Sequence, residues 1–124
     1  NKQQLKQISN SLFNQPDNIK FVSDYIDANN LLLNYIKSHD KKEKEQIIKK
    51  CKNAINECPW ASDKSFVTLG TMYYYSGNYK EALLLFEKAV KLNSLNSVAH
   101  LYLKDIYFKL PNKKKMLQHL KLIL

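Results

Sequence analysis

The chain has 124 residues, of which 44% are hydrophobic, with only two Gly and three Pro, and it carries a formal charge of +9. That is one domain's worth of chain with enough apolar content for a core, and with too few turn residues for a β-rich or disordered segment. Every basic residue is Lys and none is Arg, and no apolar run approaches the ~18 residues of a membrane span.

Lys2 to Phe13 carries Leu5, Ile8, Leu12 and Phe13 at helical spacing. Asn14-Gln15-Pro16 breaks that pattern, because Pro disfavours helix in the residue before it. Asp17 is a suitable N-cap for a second helix from Asn18 toward Ser38, with Ile19, Val22, Ile26, Leu33 and Ile36 on one stripe. Asn29-Asn30 is a point of interruption, and Ser38-His39-Asp40 is the next boundary. Lys41 to Glu57 begins highly charged and then turns apolar at Ile47, Ile48, Cys51, Ala54 and Ile55, before Pro59 ends it.

Trp60, the only Trp, follows in a loop and reads first as a plug over a helix seam, with a ligand contact as the other reading. Cys51 and Cys58 stand two helical turns apart, about 10 Å along an axis, too far to bridge without breaking the helix. They read as small buried hydrophobes. They do not fix the redox compartment.

Ser65 to Ser76 places Phe66, Leu69, Gly70 and Tyr73 on one helix face. A mid-helix Gly costs about 1 kcal/mol against Ala, a cost that close helix contact would justify. Ser76-Gly77-Asn78 is a turn signal, with Gly77 suited to positive φ. Tyr79 to Leu92 then puts Ala82, Leu85, Phe86 and Ala89 on one face. Asn96 or Ser97 caps a helix running to Lys109, Pro111-Asn112 turns the chain, and Lys113 to Leu124 forms the last helix. The total is about seven helices and no strand.

The order Phe66, Leu69-Gly70, Tyr73, Gly77, Tyr79, Ala82, Phe86, Ala89 resembles the tetratricopeptide repeat, a helix–turn–helix unit of about 34 residues. Ser94 departs from it, standing where the family usually has Pro. One repeat length on, Leu69 maps to Leu103, Tyr73 to Tyr107, Phe86 to Leu120 and Ala89 to Ile123, but Gly70 becomes Lys104 and Ala82 becomes Met116. Upstream, Ala54 and Pro59 keep the family spacing, so Ile47, Cys51 and Ala54 form the inner face of a second helix. Its first helix lies within Ala28 to His39, with Leu31, Leu32 and Tyr35 inward.

The resemblance implies an all-α fold, a short α-solenoid in a single domain. Residues 1–40 form divergent N-terminal helices, 41–62 a degenerate repeat half, 63–96 the best repeat and 97–124 a terminal repeat.

Catalytic signatures are missing. His39, His100 and His119 are scattered rather than paired on a zinc helix, and no Gly-rich phosphate loop or Gly-x-Ser-x-Gly elbow occurs. His100 falls on a core position of its repeat. No enzyme, cofactor or metal is expected. The runs Lys41, Lys42, Lys44, Lys49, Lys50, Lys52 and Lys113, Lys114, Lys115 make a basic nucleic-acid-binding module the alternative. Against it stand the missing Arg and the alternation of Lys41, Lys42 and Lys44 with Glu43 and Glu45. Lys, Asn and Ile are abundant together, as in AT-rich genomes, so the charge also has a compositional origin. A membrane surface is disfavoured, because the lysines do not lie opposite one clean apolar stripe.

What the resemblance implies is a protein–protein interaction module. Its first helices line a concave groove that takes a partner peptide or helix. The groove positions are Val67, Thr71, Tyr74 and Tyr75 in the central repeat and Leu101, Tyr102, Asp105 and Phe108 in the next, with Val98 beside them. The other reading is that these residues contact another repeat of the same chain. Val67 and Thr71 stand where the family's carboxylate clamp needs polar and cationic groups, so no such clamp is expected. Leu117, Leu120, Leu122 and Leu124 at the end suggest a partner, self-association or a further capping helix. The chain starts at Asn1, as a fragment or a processed form would. The expectation is a soluble domain, cytoplasmic or periplasmic, or membrane-associated through a segment outside this chain.

Overall fold

The computed structural model describes residues 2–5 and 16–110. Residues 2–5 are helical. Five α-helices follow: α1 Pro16–Ser38, α2 Lys41–Glu57, α3 Asp63–Tyr75, α4 Tyr79–Leu92 and α5 Ser97–Lys109, with a short 3-10 turn at Pro59–Ala61. No strand occurs among the described residues. The remainder of the helix expected over 2–13, and the whole of the one expected over 113–124 with its leucines and lysine run, lie outside the described residues.

The helix ends follow local chemistry. Asp40 caps α2, its Oδ1 accepting from the Lys42 amide at 2.9 Å, while Ser38 Oγ accepts from the Asp40 amide at 3.2 Å. Gly77, at φ 83°, closes α3. The Asn78 amide reaches the Tyr73 carbonyl at 2.9 Å and the Gly77 amide reaches Tyr74 at 3.1 Å, the paired bonds of a Schellman ending. Asn96 caps α5 through Oδ1, which accepts from the Ala99 amide at 3.1 Å.

Helices α1 and α2 pack as one hairpin, and α3 and α4 as a second. The hairpins stack, with α2 against α3 and α4 against α5, and the first helices meet in a row, α1 on α3 and α3 on α5. Two cores result. The first joins Ala28, Leu32 and Tyr35 of α1, Ile47 and Cys51 of α2, and Leu69 and Met72 of α3. The second joins Ala82, Phe86 and Ala89 of α4 to Ala99, Leu103, Ile106 and Tyr107 of α5. Gly70 faces Phe86, and a Cβ there would sit 3.1 Å from the ring. This is the close contact that its mid-helix position implies. Both cysteines are buried and free, and burial pushes the Cys51 thiol up to about 12.

Four expectations change. Helix α1 runs unbroken through Asn29-Asn30. Its expected apolar stripe is not its core face: Val22, Ile26 and Leu33 are exposed, and the buried line is Asp24, Ala28, Leu32 and Tyr35, of which Leu32 and Tyr35 are the residues that the repeat spacing placed inward. A helix packed on two neighbours has two apolar faces, and periodicity alone does not say which is covered. Trp60 is 77% exposed and plugs no seam. His100 is half-buried rather than core, its Nε2 2.7 Å from the Ser94 carbonyl.

Candidate partner-binding cleft

The row of first helices leaves a cleft of about 530 Å³. Helix α1 contributes Tyr25, Asn29, Leu32, Leu33 and Ile36 to its wall. Val67, Thr68 and Thr71 of α3 form the middle, and Val98 and Tyr102 of α5 the far side. The Thr68 and Thr71 hydroxyls donate to the Lys64 and Val67 carbonyls at 3.0 and 2.7 Å, so their donors are spent within α3. The surface is mainly apolar. Its one carboxylate and one ammonium, Asp63 and Lys64, both stand at the start of α3.

Of the groove positions expected from sequence, Val67, Thr71 and Tyr102 line this cleft and come together there. Tyr102 also stacks on Phe86, with centroids 4.9 Å apart and planes 4° from parallel, and burial pushes its hydroxyl up to about 12. Tyr74, Tyr75, Leu101, Asp105 and Phe108 do not line it. The Tyr74 hydroxyl donates to Asp105 Oδ2, tying α3 to α5. Lys109 Nζ donates to the same hydroxyl at 2.8 Å and lies 3.3 Å from the carboxylate. Its ammonium also sits 4.6 and 5.0 Å from the Tyr74 and Tyr79 ring centres. The Tyr74 hydrogen bond holds the Asp105 carboxyl below the usual range and raises Tyr74. Leu101 and Phe108 are exposed, as is Tyr75.

Sequence reasoning missed Tyr25, Asn29, Leu33 and Ile36. The available signal was the surplus of apolar residues on α1 beyond those a single buried face needs.

The Lys41–Lys52 run lies on α2, which does not contribute to the cleft. Lys50 is engaged by Asp27 at 3.2 Å and Asp24 at 3.6 Å, and the Asp27 hydrogen bond leads in raising its pKa. Lys44 stands 5.5 Å from the Tyr73 ring centre. Among the described residues no group of three His, Cys, Asp or Glu side chains could hold a metal ion, and no helix is long and apolar enough to cross a membrane.

Residues 64–96 match the family model of the tetratricopeptide repeat. That stretch spans α3 and α4, so the second hairpin is similar to one repeat of this family, and the stacked hairpins form a tetratricopeptide-like helical array. Such a repeat is in general a unit of protein–protein interaction and is typically non-catalytic. No curated protein and no solved structure matches the chain.

Proposed function

We propose that the chain is a non-catalytic adaptor that holds a partner peptide or helix in the cleft between α1, α3 and α5. One observation carries this reading: apolar side chains from three successive first helices converge on one concave surface and stay open to solvent, with Leu33 61% and Val98 45% exposed. Singly exposed apolar residues are ordinary, but apolar side chains gathered on one concave surface mark an interaction site. Val67, Thr71 and Tyr102 are the central contacts. The exposed Leu101 and Phe108, on one face of α5, extend the contact beyond the cleft, with Tyr75 at its edge. The mainly apolar wall suits an amphipathic helix or an extended apolar segment. The nucleic-acid reading is weaker, because Lys50 and Lys44 are occupied by Asp24, Asp27 and Tyr73.

The test is selection of binders from a random peptide display library, followed by titration against the parent and Leu33→Asp. Leu33 is exposed, so the variant should melt as the parent does. Selected peptides should carry apolar residues at helical or alternate spacing and bind with little salt dependence. They should lose at least about tenfold in affinity on Leu33→Asp, which sets a carboxylate against an apolar partner. Peptides that bind both proteins equally, or whose binding disappears with salt, refute the cleft.

A further inference from the structure

Where each second helix hands over to the next first helix, one edge of the array carries two short loops, 58–62 and 93–96. Asp63 staples them, since its Oδ2 accepts from Asn93 Nδ2 at 3.2 Å and from Asn96 Nδ2 at 3.0 Å. On these loops stand the two most exposed large apolar side chains among the described residues, Trp60 at 77% and Leu95 at 88%. Beside them opens a second cleft of about 320 Å³, walled by Ile55, Pro59, Phe66 and Leu92, with Lys88 and Lys91 as its charged members. Lys88 lies 5.8 Å from the Phe66 ring centre. Neither lysine is ion-paired among the described residues. Lys64, exposed at the start of α3, adds a third ammonium. Of the carboxylates nearby, Glu57 is paired with Lys20 at 3.2 Å, and Asp63 is turned to the two Asn amides, which leave its charge in place.

We infer that this edge docks on an anionic lipid surface. Trp60 and Leu95 enter the headgroup region, and Lys64, Lys88 and Lys91 meet the lipid phosphates and carboxylates. Trp suits that boundary because its ring is apolar and its N–H is polar. Apolar insertion and ammonium attraction are each weak alone and sufficient together. Projecting tips fit a lipid surface better than an acidic protein, because Trp60 is not part of the cleft wall and nothing encloses it. No single helix carries this pattern. Loops of successive repeats assemble it, so a search for an amphipathic helix does not find it. The edge borders the α1–α3–α5 cleft, which Lys64 and Leu95 also line, whereas Trp60, Lys88 and Lys91 do not line it. Lys88→Glu/Lys91→Glu therefore tests this edge apart from the cleft, as Leu33→Asp tests the cleft apart from this edge.

The test uses the 124-residue chain with vesicles of phosphatidylcholine alone or mixed with phosphatidylserine. Trp60, the only Trp, reports its own environment. Expected are sedimentation with the phosphatidylserine vesicles and a blue shift of Trp60 emission, both reduced by added salt. Lys88→Glu/Lys91→Glu should weaken sedimentation by at least about fivefold per lysine. Trp60→Ala/Leu95→Ala should weaken it at every salt concentration. All four side chains are exposed, so unchanged melting checks the fold. The proposal is overturned by no sedimentation of the parent, by equal sedimentation of parent and variants, or by an emission shift that polyglutamate produces and vesicles do not.

Discussion

Gly70 shows how much a single residue decides in a stacked helical pair. A Cβ there would meet three atoms of the Phe86 ring at 3.1 to 3.2 Å, so Ala forces the ring to give slightly and a longer side chain has no room. Gly70→Leu should therefore destabilise the chain by about 2–3 kcal/mol, through overpacking at α3–α4. Urea unfolding followed by far-UV circular dichroism would measure it, and a parent-like midpoint would mean that the two helices do not cross at this point. This contact was legible in the sequence, because a Gly in mid-helix has a cost that only close approach explains. Trp60 was not legible. A lone Trp near a helix junction fits a buried plug and an exposed tip equally well until the neighbouring surfaces are in place. Cys51 and Ala54 were, since their spacing from Ile47 and Pro59 fixed the inner face of α2.

Among the elements, the α3–α4 hairpin depends on its turn. Gly77 has nothing within 4 Å of a built Cβ, so a substitution there meets a backbone penalty and no clash. Gly77→Ala should cost about 1–2 kcal/mol, from forcing an L side chain to φ 83°. Gly77→Asn should cost less, because Asn tolerates that region. Thermal melts of the two variants would separate them, and equal losses would refute the backbone explanation. Turn chemistry is local, so Ser76-Gly77-Asn78 announced this boundary before any packing was known. Helix α1 was harder to read. Its core line and its cleft line are both apolar: the stripe through Val22, Ile26 and Leu33 selected residues that the core leaves out, while the repeat spacing selected Leu32 and Tyr35, which the core buries. Which face is covered depends on where α3 sits, which no window of α1 contains.

Taken as a whole, the array fastens α5 onto the second hairpin through tyrosines whose neutral form is favoured. Burial, then the Glu87 hydrogen bond at 2.6 Å, raises Tyr107, and burial pushes Tyr102 up to about 12. A group whose folded pKa is raised stabilises the fold fully below its unfolded value and loses that contribution as the pH rises toward the folded value. The melting temperature should therefore fall as the pH climbs from about 10, the ordinary tyrosine value, toward about 12. Tyr107→Phe removes one ionisation while keeping the ring, so its melting temperature should fall less steeply over that range. An identical alkaline slope in parent and variant would show that this hydroxyl does not feel its surroundings.

Helix α3 gives Leu69 and Met72 to the first core and packs Phe66, Val67 and Tyr74 against the second, while Tyr73 touches both. A linear array of repeats unfolds according to how strongly neighbouring units are coupled relative to their own stability. Here the coupling is built into a shared helix rather than an interface between separate units. Fraying of either end at α3 removes a wall from the other core, so the described hairpins lose their order in one cooperative step.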